Sequence, residues 1–186
     1  YKPRAEPPSG MAGGKVAKVD RIEWRAVADQ QTAINALLAG EIDYIEQPAH
    51  DLLPVVKKDA GVKLVDINPL GNQYAFRYNS TVKPFDNPKV KQALLYALNQ
   101  EDFLKATIGD PAYYKVCLEM FICGTPLGST KGMEGLLQSN FAKSKQLLQE
   151  AGYDGTPIVL LHSTDLQVLT NLAPVAKSLM ERGGFK

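Results

Sequence analysis

Gln73-Tyr-Ala-Phe-Arg-Tyr-Asn-Ser-Thr-Val-Lys-Pro-Phe-Asp-Asn-Pro-Lys-Val-Lys-Gln-Ala-Leu-Leu-Tyr-Ala-Leu98 is the stretch whose reading decides the fold. It opens with aromatics at Tyr74, Phe76 and Tyr78, the period-two alternation of a strand. A polar turn follows. Asn87 then stands where an N-cap is needed, with Pro88 behind it as the first helical residue. Val90, Ala93, Leu94, Ala97 and Leu98 continue at i, i+3, i+4, i+7, i+8, the stripe of a helix that faces a core.

Working outward, the same signals repeat on both sides. Upstream, residues 19–27 alternate with Ile22, Trp24 and Ala26 on one face and predict a strand. Asp29 caps a helix carrying Ala33, Ile34, Leu37 and Leu38, which Gly40 ends in a left-handed turn. Residues 42–46 return as a strand, giving a strand-helix-strand unit with a right-handed crossover. Asp51 starts a short helix to about Lys58, and residues 63–67 read as another strand. Downstream of Leu98 the helix continues through Phe103 and Leu104 to about Thr107. Residues 109–138 are rich in Gly, Pro and Tyr without periodicity, and so long an irregular segment is usually functional or clamped. Asn140 caps a helix ended by Gly152, residues 158–161 form a strand, and Asp165 caps a last helix to about Arg182, with Gly183-Gly184 after it. This alternation predicts an α/β, or mixed α+β, architecture.

Bulk properties exclude more than they select. The chain has 186 residues, enough for one or two domains with a real core. Lys and Arg number 21 against 20 acidic residues, a net charge of +1 spread without a basic block, which argues against nucleic acid. Hydrophobic residues make up 45% and no apolar run approaches the ~20 residues of a membrane span. The chain begins at Tyr1 with no initiator Met, signal peptide or lipid-attachment Cys. Residues 5–14 read as a loop, and no phosphate-binding G-x-x-x-x-G-K-[ST] occurs. Cys117 and Cys123 lie six apart and read either as two buried small hydrophobes or as a disulfide. A zinc site is not expected, because His50 and His162 are far from them in sequence.

Catalytic constellations are weak. His162-Ser163-Thr164-Asp165 holds the residue types of a triad, but neighbours in sequence point in divergent directions and no G-x-S-x-G elbow is present. Asp165 is accounted for as an N-cap. Glu41, Asp43 and Glu46 read as solvated charges, and His50 as a surface loop residue.

The central stretch resembles one family closely. Tyr78-Asn79, Pro84-Phe85-Asp86-Asn87, Lys89-Val90-Lys91-Gln92-Ala93-Leu94 and Ala97-Leu98-Asn99-Gln100-Glu101 are similar, at matching offsets, to the bacterial extracellular solute-binding proteins of family 5. These are the dipeptide, oligopeptide and nickel capture subunits of ABC importers. The Gly40-Glu41-Ile42-Asp43 turn and the Ala142-Lys143 to Gly152-Tyr153 helix and cap extend the resemblance to nearly the whole chain. Family members are much longer, so the resemblance implies an internal fragment of a periplasmic-binding-protein-like two-lobe fold. Residues 1–78 would then be part of the first lobe with a hinge strand at its end, and 79–186 the N-terminal half of the second.

The function so implied is non-catalytic: capture of a peptide or similar small solute between hinged lobes and delivery to the permease subunits. A periplasmic location, with a leader not present in this chain, a monomeric state and no cofactor or metal accompany it. An oxidising compartment also implies a Cys117–Cys123 disulfide, worth only about 2 kcal/mol for so short a loop. Ligand contacts are expected from Tyr74, Arg77 and Asn79 beside the hinge and from His162, Thr164 and Gln167 across it. Arg77 is on the strand face opposite the three aromatics, where it is either a solvated cation or a bidentate partner for a ligand carboxylate. The oligopeptide-binding relatives carry an acidic residue there, which implies a ligand of different charge. The rival functions are a sensor domain of a cytoplasmic transcriptional regulator, marked by an upstream helix-turn-helix, and a small α/β hydrolase.

Overall fold

Every Asn expected to open a helix does so through its side chain. In the computed structural model, which describes residues 4–10 and 12–186 with the side chain of Gln167 excepted, the helices are α1 (Gln30–Leu38), α2 (Leu53–Val56), α3 (Pro88–Ala97), α4 (Gln100–Thr107), α5 (Phe141–Glu150), α6 (Gln167–Thr170) and α7 (Leu172–Arg182). Single 3-10 turns occur at His50–Leu52 and Pro111–Tyr113. Asn87 Oδ1 accepts from the Lys89 amide at 2.9 Å, and Asn140 Oδ1 from the Lys143 amide at 3.0 Å. Each satisfies one donor that the first turn leaves without an intrahelical partner.

Two boundaries differ from the expectation. The continuous helix predicted from Pro88 to Thr107 is broken at Leu98 and Asn99, because Asn99 is itself a cap: it is extended (φ −138°, ψ 117°) and its Oδ1 accepts from Glu101 and Asp102. An Asn99→Ala variant is therefore expected to lose about 1 kcal/mol in chemical denaturation, since both amides lose their acceptor. The last helix is likewise two pieces, and Asp165 does not cap it. Leu166 occupies the N-cap of α6, while the Asp165 carboxylate accepts from Ser163 Oγ at 2.8 Å. The break before α7 follows from Pro174, which has no N–H to donate to the Thr170 carbonyl four residues earlier. His162 Nε2 lies 2.8 Å from that carbonyl and takes the missing donor's place.

The main core is the predicted stripe. Val90, Ala93, Leu94 and Ala97 are buried on α3, with Leu98 just after it, against Leu147 and Leu148 of α5 and Ala176, Leu179 and Met180 of α7. Fully burying one such aliphatic side chain stabilises by roughly 1.5–3 kcal/mol. The C-termini of α5 and α7 close alike. Gly152 (φ 66°) and Gly184 (φ 99°) take the left-handed conformation, and the amides of Tyr153 and Phe185 reach back to Leu148 and Met180 carbonyls at 3.0 Å each. This pattern satisfies orphan carbonyls and brings an apolar residue back onto the helix. Tyr153 and Phe185 then pack on each other, ring centroids 5.8 Å apart. Ser144, fully buried on α5, donates its hydroxyl to the Gly183 carbonyl at 3.0 Å.

The expected strands at 19–27, 42–46, 63–67, 73–78 and 158–161 carry no ladder among the described residues, where the bridge pairs are Ser9 with Ala12 and Asn99 with Gln138. A strand has its backbone groups satisfied only by a neighbour lying alongside it. One rung is present: the Ile158 amide donates to the Lys186 carbonyl at 2.7 Å. Ile158 and Leu160 face the core while Val159 and Leu161 are 85% and 97% exposed, an alternation apolar on both sides, as in a sheet strand covered on both faces. The aromatic segment is also not a buried sheet face. Phe76 meets Phe103 edge-on at 6.3 Å, and Tyr78 stacks on Phe85 at 5.4 Å with Lys91 over its ring, so these side chains rest half-exposed on α3 and α4.

The irregular segment 109–138 is clamped at both ends. The Gln100 side chain makes a two-point bond to the backbone of Cys117, accepting from its amide at 2.7 Å and donating to its carbonyl at 2.9 Å. A disulfide joins Cys117 to Cys123. At the other end the amides of Leu137 and Ser139 donate to Leu95 and Leu98 carbonyls, closing the segment onto the end of α3.

Candidate functional site

The N-terminus of α1, the turn before α2 and the loop before α6 surround an open polar hollow of about 350 Å³. Residues far apart in sequence meet there: Asp29, Gln30 and Gln31, then Asp51 and Leu52, then Thr164 and Asp165. The capping role of Asp29 explains its position. Its Oδ1 accepts from the Thr32 amide at 2.7 Å and the Thr32 hydroxyl at 2.6 Å, so the carboxylate is fixed at the head of α1. Asp51 stands in the 3-10 turn, and Asp165 is held by Ser163. The Gln30 side-chain carbonyl oxygen is buried and has no hydrogen-bond partner among the described residues.

Charge and hydrogen-bond inventory make the hollow an acceptor site. The Thr32 hydroxyl, then the Thr32 amide, hold the Asp29 carboxyl below its ordinary range; the Ser163 hydroxyl does the same for Asp165. Both are ionised at neutral pH. No three His, Cys, Asp or Glu side chains converge closely enough to hold a metal ion among the described residues, so the three carboxylates ring the hollow rather than meet in it. Such a rim is complementary to N–H-rich or cationic groups. Because the folded-state pKa of Asp29 is depressed, the stability from its cap is fully present above the unfolded value and is lost as pH falls through the folded one. An acid titration followed by far-UV circular dichroism should show a transition in the native protein that is weakened in Thr32→Val.

Of the residues expected to contact ligand, Thr164 lies on the hollow. Tyr74, Arg77, Asn79 and His162 are not among its lining residues, and the side chain of Gln167 lies outside the described residues. Tyr74 is half-exposed, and its partial burial pushes the hydroxyl pKa up. Arg77 is exposed and, among the described residues, makes no ion pair. Asn79 closes a local turn, its Oδ1 accepting from the Thr81 amide at 3.0 Å and hydroxyl at 2.6 Å. His50 is no bare loop residue: it opens the 3-10 turn and packs on Tyr113. Sequence reasoning took Asp29 and Asp165 as caps and Asp51 as a helix start, and therefore missed the rim. No local signal marks residues from three segments as neighbours.

A family model described as bacterial extracellular solute-binding proteins, family 5 Middle, matches residues 2–186. The chain belongs to this family. Among its curated relatives is the probable peptide ABC transporter periplasmic-binding protein y4tO of Sinorhizobium fredii, 38% identical over 99% of this chain and 35% of the relative. The glutathione-binding protein GsiB of Salmonella paratyphi A is 32% identical over 87% of this chain and 31% of its own length. The chain thus spans about a third of the length of these relatives. In fold it is similar to the crystal structure of the ABC transporter substrate binding protein CtaP of Listeria monocytogenes, with a TM-score of 0.67 at 22% identity over 87% of this chain and 33% of that one. The resemblance carried by Tyr78 to Glu101 is borne out, and with it the periplasmic-binding-protein-like α/β class.

For this family member the triad residue types have other employment. Ser163 Oγ donates directly to Asp165, and His162 Nε2 bonds the Thr170 carbonyl. His162, Ser163 and Asp165 therefore do not form a nucleophile-base-orienter line with one another.

Proposed function

We propose that this chain is part of a non-enzymatic substrate-binding component of an ABC importer, which captures peptides or a similar small solute and delivers it to the permease subunits. The observation that carries the reading is the hollow itself: residues before Asn79 and residues after it contribute to one polar, acceptor-rich wall. Solute held there touches both parts at once, which is what a hinged receptor requires if binding is to favour closure. The names of the relatives, a peptide transporter's binding protein and a glutathione-binding protein, support peptides as the solute class.

On this reading residues 1–78 belong to one lobe and 79–186 to the other, and the protein works as a monomer in the periplasm. Tyr74, Arg77 and Asn79 flank the crossing point. Thr164, with His162 and Gln167 close by in the chain, approaches from the second lobe. Arg77 supplies a guanidinium for a ligand carboxylate, while the carboxylate rim takes the amino end. Calorimetric titration of the full-length protein with glutathione and di- to pentapeptides tests this. Saturable binding weakened about tenfold in Arg77→Ala is expected, the loss of one charge-assisted bond. Silence across the panel sinks the peptide assignment, and unchanged affinity in the variant removes Arg77 from the site.

A further inference from the structure

The beginning of the clamped segment reaches back to the first part of the chain at two separate places. At the first, Tyr113 packs edge-on against His50, centroids 5.9 Å apart, and lies under Lys57, whose Nζ is 4.8 Å from the ring centroid. At the second, Gln73 Nε2 donates to Cys117 Sγ at 3.4 Å. Both contacts are pre-set on their own side. Asp110 accepts from the Ala112 amide at 2.9 Å and Pro111 fixes the next φ, so the turn that bears Tyr113 is built before it docks. Cys117 is tied to α4 by the two-point bond from Gln100 and to Cys123 by the disulfide, and the Cys123 amide donates to Cys117 Sγ at 3.2 Å.

We propose that residues 109–123 are a disulfide-stapled strap that holds the two parts of the chain closed, through Tyr113 on His50 and Lys57 and Gln73 on Cys117. The inference rests on the two-lobe reading above. Tyr113 does not line the hollow, so the strap acts on solute only by setting how much of the unliganded protein is already closed. A ligand that binds the closed form has its apparent dissociation constant divided by that closed fraction, so its affinity falls as the closed fraction falls. The strap is thus a setting for affinity placed away from the solute. The aromatic contacts Phe76–Phe103 and Tyr78–Phe85 lie beside the crossing of the chain and turn with it. Tyr113, by contrast, engages residues some way up the first part and must let go when the parts separate.

The test is a distance measurement between spin labels on Glu41→Cys and Gln149→Cys in the full-length protein, both positions being exposed and Cys117 and Cys123 being paired with each other. Tyr113→Ala and, separately, Cys117→Ser/Cys123→Ser are expected to lengthen the mean unliganded distance by roughly 2 Å or more, the scale of a hinge rearrangement. Tyr113→Phe, which keeps the ring, should retain the parental distance. Saturating tri-alanine should return Tyr113→Ala to that distance. If Tyr113→Ala and the double serine variant both keep the parental distance, the strap is refuted, whatever the solute. A longer distance in the variants together with no tri-alanine or glutathione binding by the parent supports the strap and sinks only the peptide assignment. Tyr113 is partly exposed, so the alanine variant remains readable if the disulfide variant fails to fold.

Discussion

Leu94→Ala is expected to destabilise the protein by about 2–5 kcal/mol, read as a fall in the denaturant midpoint with an unchanged slope. Leu94 is 2% exposed and sits mid-stripe on α3, where α5 and α7 both close over it. Removing three carbons there loses their transfer free energy. It also leaves a cavity that neighbours held in helices cannot collapse into. Stability of a domain this size is a few multiples of that amount, so the variant should sit near its threshold for folding. The comparison that makes the prediction specific is Leu70→Ala. Leu70 is 58% exposed in the segment before the aromatic run, and its loss should stay within about 0.5 kcal/mol.

The second large effect comes from adding atoms. Gly183 has an ordinary φ, and backbone conformation does not demand glycine there; space does. A Cβ at Gly183 would stand 2.6 Å from the Ala97 Cβ and 3.0 Å from Ser144 Oγ. Those two are fully buried and belong to α3 and α5, so α7 cannot yield without moving away from both helices. Gly183→Ala should therefore cost about 1–3 kcal/mol by overpacking and should lengthen the Ser144 hydroxyl bond to the Gly183 carbonyl. A double-mutant cycle separates this from propensity. Ala97→Gly removes the facing Cβ at about 1 kcal/mol of helix cost, and combined with Gly183→Ala it should recover part of the loss. Strict additivity would place the strain elsewhere.

The Leu94 prediction falls on a feature that was plain in the sequence, whereas the close approach of Gly183 to Ala97 and Ser144 joins residues far apart in the chain and was not. Helix starts at Asn87 and Asn140, the stripe from Val90 to Leu98 and the glycine stops all arise from interactions within a few residues, which spacing reports directly. Asn99 shows where that logic slips. A cap within an apolar periodic run breaks the helix, and periodicity alone cannot see it. Asp165 and Pro174 slip the same way, since the proline's missing N–H moved the last helix's true start to Leu172. Strands were legible as pattern but not as pairing, because a ladder depends on a partner at long sequence distance.

The site was the least legible part. Asn79 and His162 have the composition of ligand contacts, yet the structure uses their polar atoms on a local turn and an orphaned carbonyl. The hollow is instead edged by carboxylates whose capping roles hid them. Residue types pointed to Asn79 and His162, whereas the meeting of three segments at the hollow depends on the packing of helices and turns far apart in the chain.

The central claim is that solute is gripped from both sides of the hollow. Hydrogen exchange of the full-length protein, with and without saturating tri-alanine or glutathione, tests it most directly. Amides around Gln30 and Gln31 and amides around Thr164 and Asp165 should slow together on binding, because closure buries both. Protection confined to one of these segments, or to neither while solute is bound, would contradict the account.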